Sequence, residues 1–380
     1  MTANDLEKEL LSLIGKYNKL RNTFLLVYSA AISKPIPAIS LDMDDYYIIY
    51  DLLRGNTSKK LDFYLETPGG NGVAAEEIVR FIRDKFDDID FVISGEAKSA
   101  GTIMTLSANE ILMTISGSLG LIDAQVRIGR SQVSAYDYID WVKAKRTYAQ
   151  RNRRMNPFDA TMVAQISPGE LKGVSNALNF AVDLVTEWLP KYKFRNWNQT
   201  ETKKAPVTDL MKKKRAKEIV NELIDHGKWR AHGRSLKIDD LENIGLKITK
   251  IDDDPVLSDI VYRIQTVIKL LFKTTNVYKI YSTETEKIFA NAASVDIPLP
   301  MVKTNAPDVV NINTKCEKCG KAHHLYAKFA SNPKIDDDMQ KQGRKKFPAN
   351  NKLTCDCGFE IDLTGARNNF EAQIGKKIIT

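Results

Sequence analysis

Cysteine is scarce in this chain and confined to one end. Its four residues, Cys316, Cys319, Cys355 and Cys357, all lie after residue 315 of 380. That placement excludes a disulfide framework spread through the fold. Long apolar runs are missing as well. No stretch approaches the roughly 20 residues that a membrane-spanning helix needs. The longest near the N-terminus, residues 23–32, follows a charged segment and lacks a secretory layout. These absences point to a cytoplasmic protein with no integral membrane segment. Histidine is the third shortage: four in all, and none between Ser99 and His226. The formal net charge of +8 is compatible with nucleic acid, acidic lipid or acidic protein partners and selects none of them. At 380 residues the chain is long enough for two or three domains and a sizeable core.

What is present is concentrated in residues 63–125. A short apolar run of β propensity at 61–66 is stopped by Pro68-Gly69-Gly70, and glycine lets backbone N–H groups come close to a ligand. Ala74, Ile78, Ile82 and Phe86 recur at helical spacing, which predicts a helix with one buried face. Residues 91–94 read as a second strand, Ser99 sits on the turn after it, and Gly101, Ile103, Met104 and Leu106 begin a second helix behind the serine. Alternating βα units of this length predict an α/β fold with a parallel sheet and right-handed crossovers. A serine on a strand-to-helix turn is held by backbone that cannot drift, and the helix start behind it presents unpaired N–H groups. Acyl transfer needs donors where a carbonyl oxygen becomes negative, and the amides of Gly70 and Ala100 are the natural pair. Each motif has a plainer alternative, the glycines as a mere turn and Ser99 as a mere helix cap. The two together, one βα unit apart, favour the chemistry.

The segments ETPGGNGVAAEEI, KSAGTIMTLSANEILM and SLGLIDAQ resemble the serine dehydrogenase proteinase family of the Clp protease/crotonase superfamily, which is related to signal peptide peptidase A and to the membrane-associated stomatin-operon proteases. The likeness runs over residues 20–290, because 226–235 and Gly245-Leu246 also look like later blocks of that family. The resemblance implies a Clp/crotonase-type spiral core and a serine endopeptidase that forms an acyl-enzyme on protein or peptide substrates. It also implies Ser99 as nucleophile, an oxyanion hole from Gly70 and Ala100, and assembly into homo-oligomers. The base departs from the Clp pattern, in which a histidine follows the nucleophile and an acid comes later; here Asp123 falls where that histidine would. Signal peptide peptidase A-type enzymes use a lysine instead, which serves as base only where burial lowers its pKa toward neutrality. The predicted helix 134–146 offers Lys143 and Lys145, of which Lys145 is preferred, in a Ser-Lys dyad. Other readings stay open. Both lysines also belong to a basic run with Arg146, Arg151, Arg153 and Arg154, and His226 or His232 could come in from the distant helical region or a neighbouring subunit. Asp123 reads as a structural hydrogen-bonding residue more than as an orienter of the base. Lys98 adjoins the serine but should point away from its Oγ.

Around this stretch, residues 3–20 predict a packing or oligomer-contact helix, and 156–167 a loop able to lie over the site. Ser167-Pro168-Gly169-Glu170 begins a helix with an apolar stripe through Val174, Leu178, Val185 and Leu189. Residues 208–225 predict another, whose Lys212, Lys213, Lys214, Arg215 and Lys217 read as a solvated face or a contact for nucleic acid phosphates. A helix over 258–272 precedes a proline-bearing, charge-poor stretch. The domain reading is a peptidase core at 1–185, a helical extension at 186–290, a linker at 291–311 and a small module at 312–380. In that module Cys316-Glu-Lys-Cys319-Gly320 and Cys355-Asp-Cys357-Gly358 read as two thiolate turns of a zinc ribbon holding structural Zn2+. A module this small needs such a staple. Such a ribbon suggests an accessory protein or nucleic acid partner. The rival reading follows: a catalytically silent oligomeric scaffold that presents the ribbon to that partner. A crotonase-like acyl-CoA enzyme is weaker, since it leaves Ser99 without a role.

Overall fold

The apolar runs at 24–30, 60–66 and 88–93 are buried along nearly their whole length, the pattern of strands covered on both faces. The computed structural model describes residues 2–128, 131–292, 307–374 and 376–379. The chain divides into two units, Met1–Ala293 and Ser294–Thr380. Of the expected linker, residues 293–306 lie outside the described residues.

In chain order the first unit comprises α1 (Ala3–Arg21), β1 (Phe24–Ala30), α2 (Met43–Arg54), β2 (Lys60–Glu66), α3 (Gly72–Lys85), β3 (Asp88–Ile93), β4 (Glu96–Ala97), α4 (Ala100–Thr105), β5 (Glu110–Met113), β6 (Ser118–Leu119), β7 (Gln125–Ile128), β8 (Ser131–Ser134), α5 (Ala135–Asn152), α6 (Pro157–Ala164), α7 (Pro168–Lys191), α8 (Asp209–Ile224), α9 (His226–Trp229), α10 (Ile238–Asn243), β9 (Thr249–Lys250), α11 (Pro255–Thr274), β10 (Val277–Ser282) and β11 (Lys287–Asn291). Seven strands form one mixed sheet in the order β11-β10-β1-β2-β3-β5-β9. From β1 to β9 the pairings are parallel; β10 joins β1, and β11 joins β10, antiparallel.

Alternation along each strand sorts the core into two layers. Leu26, Tyr28, Phe63, Leu65, Phe91 and Ile93 belong to the apolar cluster that includes residues of α2, α3, α4, α7 and α8. Leu25, Val27, Tyr64 and Val92, one residue out of phase, belong to the cluster built with α1 and α11. Each fully buried large side chain contributes about 1.5–3 kcal/mol relative to exposure, so the middle of the sheet is where this unit's apolar stabilisation is concentrated.

Three features differ from the sequence expectation. Residues 157–164 are a helix within the expected loop, because Asn156 caps it and Pro157 fills the first turn, where no N–H is needed. β10 and β11 follow α11, and they complete the main sheet from the far end of the chain. α7 crosses residue 185, so no structural break falls there.

In the second unit β12 (Val309–Lys315) and β13 (Ala322–Lys328) form an antiparallel hairpin, and β14 (Lys345–Lys346) adds parallel to β13. β15 (Lys352–Thr354) and β16 (Glu360–Asp362) form a second hairpin, with α12 (Pro333–Lys341) and α13 (Thr364–Ile374) completing the unit. Its apolar cluster is small: Ile312, Leu325, Ala327, Phe329, Phe347, Leu363 and Ile378.

Candidate active site

Ser99 stands two residues past the end of β4, after Lys98, and immediately precedes the first residue of α4. Its backbone sits at φ 49° and ψ −115°, and its side chain makes no capping hydrogen bond to the helix it precedes. A positive φ at a residue with a Cβ costs on the order of 1–3 kcal/mol and persists only where the surroundings impose it. Those surroundings are visible. The amide of Lys98 donates to Thr67 O at 3.0 Å, and the amide of Thr67 donates to Glu96 O at 2.8 Å. This ties the turn to the end of β2. Gly69 then passes so close that a Cβ there would meet Lys98 O and Ser99 Cβ, each at 2.7 Å.

The same glycine loop is braced on its other side. Leu41 N donates to Gly69 O and Asn71 N donates to Leu41 O, each at 2.8 Å. In such a parallel bridge the residue between the two bonded positions turns its own N–H away from the partner strand, so the Gly70 amide is directed away from Leu41. Ala100, as the first residue of α4, has an amide with no acceptor inside that helix. Residues 40–42 are themselves anchored by Lys279, whose Nζ donates to Ser40 O at 2.9 Å and pairs with the buried Asp45 at 2.8 Å.

Ser99, Gly70 and Ala100 line a cleft of about 750 Å³. Apolar wall is supplied by Ile103, Ile122, Ala177 and Phe180, and the polar lining includes Asp123 and His232. His232 Nδ1 lies 2.6 Å from Asp123 Oδ1. Asp123 is fully buried, and its Oδ2 accepts from Gln125 Nε2 at 3.0 Å. In the tautomer whose Nδ1 donates to this carboxylate oxygen, Nε2 is left as the acceptor. The cleft therefore holds a serine with an uncommitted hydroxyl, an imidazole oriented by a buried acid, and backbone amides of Gly70 and Ala100.

The two lysines are placed elsewhere. Lys145 Nζ pairs with Asp159 Oδ2 at 2.9 Å. Lys143 lines a separate groove along α5 with Asp140, Thr147, Tyr148 and Arg151. Neither lines the Ser99 cleft. His226 Nδ1 meets Asp137 Oδ2 at 2.6 Å at the start of α5, also away from the cleft lining. Of the residues singled out in the sequence, the structure brings Ser99, Gly70, Ala100, Asp123 and His232 to one cleft and leaves Lys143, Lys145 and His226 out of its lining. The block 226–235 carries His232, and nothing local in that block marks Asp123 as its partner.

The four cysteines of the second unit also converge. Cys316 Sγ and Cys357 Sγ are 3.6 Å apart, as are Cys319 Sγ and Cys355 Sγ, and all four sulfurs lie within 4.8 Å of one another. A disulfide would need about 2.05 Å. A tetrahedral ion with bonds of about 2.3 Å puts sulfurs near 3.8 Å apart, and the cluster fits that geometry. Both cysteine turns close on a glycine amide, Gly320 N donating to Cys316 O and Gly358 N to Cys355 O, each at 2.8 Å. The group is compatible with a structural metal site such as zinc.

No family model matches the chain, and no curated protein does. Among solved structures, the chain is similar to a lysine-to-alanine mutant of the 1510-N membrane-bound stomatin-specific protease in complex with a substrate peptide. The identity is 20%, the TM-score 0.22, and the match covers 27% of this chain and 51% of that one. A serine-to-alanine mutant of the same protease matches at 18% identity and a TM-score of 0.24, over 40% of this chain and 72% of that one. The chain thus spans about half the length of the first of these, 51%. Among the described residues no helix is long and apolar enough to cross a membrane.

Proposed function

We propose that the chain is a serine peptidase that cleaves protein or peptide substrates through an acyl-enzyme on Ser99. The observation that carries this reading is the strained Ser99, its hydroxyl unspent on capping, in a cleft shared with the His232–Asp123 pair. His232 Nε2 takes the hydroxyl proton as Ser99 Oγ attacks the scissile carbonyl, and the displaced π electrons settle on oxygen. The amides of Gly70 and Ala100 receive that oxyanion. Asp123 fixes the imidazole and stabilises the imidazolium. Collapse of the tetrahedral adduct breaks the C–N bond, and the proton on Nε2 passes to the leaving amine. Water, deprotonated by the same nitrogen, then releases the acid. His232 takes the part expected of Lys145 or Lys143.

The parallel-rich sheet supports a Clp/crotonase-type spiral core. Exposed Tyr148, Phe158 and Met162 on α5 and α6 support homo-oligomers, and unpaired cysteines suit a reducing cytoplasm. In the second unit Cys316, Cys319, Cys355 and Cys357 would hold Zn2+ as a structural staple, which would also present this unit to a protein or nucleic acid partner.

The test is labelling with a fluorophosphonate, with the adduct located by mass spectrometry. The expected adduct is on Ser99, lost in Ser99→Ala and strongly slowed in His232→Ala, with Lys143→Ala and Lys145→Ala close to wild type. A folded wild type that takes no label sinks this reading in favour of the silent scaffold, and a lysine variant as dead as His232→Ala would restore the dyad.

A further inference from the structure

Lys98 precedes the nucleophile in sequence, yet its side chain runs away from the cleft. Its Nζ ends among four oxygen acceptors: Ser235 Oγ at 2.8 Å, Leu119 O at 3.1 Å, Ser118 Oγ at 3.2 Å and Arg234 O at 3.3 Å. The residue is 7% exposed, and no carboxylate is among these partners. A buried ammonium solvated only by neutral oxygens is costly, and an apolar side chain of similar length would avoid that cost.

What the four contacts join is informative. Ser118 and Leu119 lead into Asp123, and Arg234 and Ser235 follow His232. One ammonium therefore touches the segments that carry the base and the acid while belonging to the turn that carries the nucleophile. The segment between α9 and α10 has no regular structure of its own at His232. It is tied down by a bridge in which Leu119 N donates to Leu236 O at 3.1 Å and Leu236 N donates to Leu119 O at 2.9 Å. A second lysine ties it from the opposite direction, with Lys237 Nζ donating to Ser116 O at 2.7 Å and Gly117 O at 3.0 Å. Within the site His232 is fixed by its bond to Asp123, so a sliding loop would carry the imidazole away from Ser99. Gly120 packs against the Lys98 stem, where a Cβ would meet Lys98 Cδ at 2.9 Å, so the side chain has a fitted channel.

We propose that Lys98 is a positioning residue whose ammonium locks the His232 loop to the nucleophile turn, holding serine, base and acid in one frame. Its consequence for reactivity rests on the acyl-transfer reading; the clamp itself rests on the contacts alone. Burial brings the Lys98 pKa down to about 8, with Glu96 opposing the fall and Lys237 adding to it. Arg234, His232 and Asp123 are the other ionisable groups on the clamped segments. The ammonium thus loses its charge, and one of its three donors, as pH rises through about 8.

The experiment uses the full chain with Lys98→Met, Lys98→Arg and Ser235→Ala. It reads amide hydrogen exchange at Leu119 and across 230–236, and the rate of fluorophosphonate labelling at Ser99 through the neutral and alkaline range. Lys98→Met is expected to speed exchange at Leu119 and Leu236 and to lower labelling about a hundredfold, the scale of an ångström-sized misplacement. Ser235→Ala should do the same to a smaller degree. Lys98→Arg should recover most of the rate and move the alkaline fall in labelling upward, which a role in packing alone would not do. A folded Lys98→Met protein with wild-type exchange at 230–236 overturns the proposal. Should that variant not fold, unchanged exchange in Ser235→Ala overturns it. A wild type that takes no label sinks the acyl-transfer reading, while the exchange data still decide the clamp.

Discussion

The two units hold reactive side chains in place by different means. In the first, β2 runs in a seven-stranded sheet between two apolar layers, and backbone bonds from Thr67 just past its end hold Glu96 and Lys98, and with them the strained serine that follows. In the second, the apolar cluster has seven buried residues among those described, and four sulfurs converge on one point. Strain persists where packing over-determines the backbone; a small core cannot do that, and an ion can take its place. The difference teaches where to look for each kind of site: strained backbone above a large core, clustered thiolates above a small one.

The comparison breaks most visibly on metal removal. Structural zinc is worth on the order of 10 kcal/mol or more to a small domain, which exceeds the stability of such a unit. A chelator, or Cys319→Ser, is expected to abolish amide protection across 307–379 and leave the main sheet's protection unchanged, as read by hydrogen exchange. Equal loss in both units would show that the sulfurs support the whole chain. Next in size is Ser99→Ala, expected to lower peptide hydrolysis about 10⁶-fold with an unchanged melting temperature. Ser99→Gly should be as inactive yet melt higher, because glycine relieves up to about 1–3 kcal/mol of backbone strain against about 0.5–1 kcal/mol of added chain entropy. A lower melting point for Ser99→Gly would mean the turn is not strained. Asp123→Asn comes third, with a loss of about 10⁴-fold from the wrong imidazole tautomer and an intact cleft. Its check is the rate of Ser99 labelling beside His232→Ala.

Legibility in the sequence followed the range of each interaction. The glycine turn, the strand-to-helix serine and the cysteine turns are set by neighbours a few residues apart, and all were readable. So was the helical spacing of Ala74, Ile78 and Ile82, which are buried as that spacing requires. The partner of Asp123 was not readable, because His232 lies 109 residues away and meets it only through a loop with no periodicity. β10 is illegible for the same reason, since it pairs with β1 across almost the entire first unit, and β11 joins the sheet only through β10. Lys143 and Lys145 sit at a plausible spacing from Ser99 along the chain, but α5 carries them to Asp159 and to its own outer groove. Spacing measures contour length, and the fold spends that length on a helix leading elsewhere.

The smallest effect concerns Lys98, and it separates holding a fold from holding a site. Its folded pKa is about 8 against an ordinary 10.5. Between those values the unfolded chain keeps a proton that the folded chain has released, so folding is favoured as pH rises through the window. This contribution is complete above about 10.5 and is lost as pH falls through about 8. Lys98→Met has no such group. In urea titrations, wild type should therefore gain stability relative to Lys98→Met between about pH 8 and 10.5, while Ser99 labelling in wild type falls over the same interval. Stability and reactivity would move in opposite directions across one titration. If both fell together, the ammonium would be supporting the fold as a whole, and the loss of labelling would follow from unfolding rather than from a displaced His232.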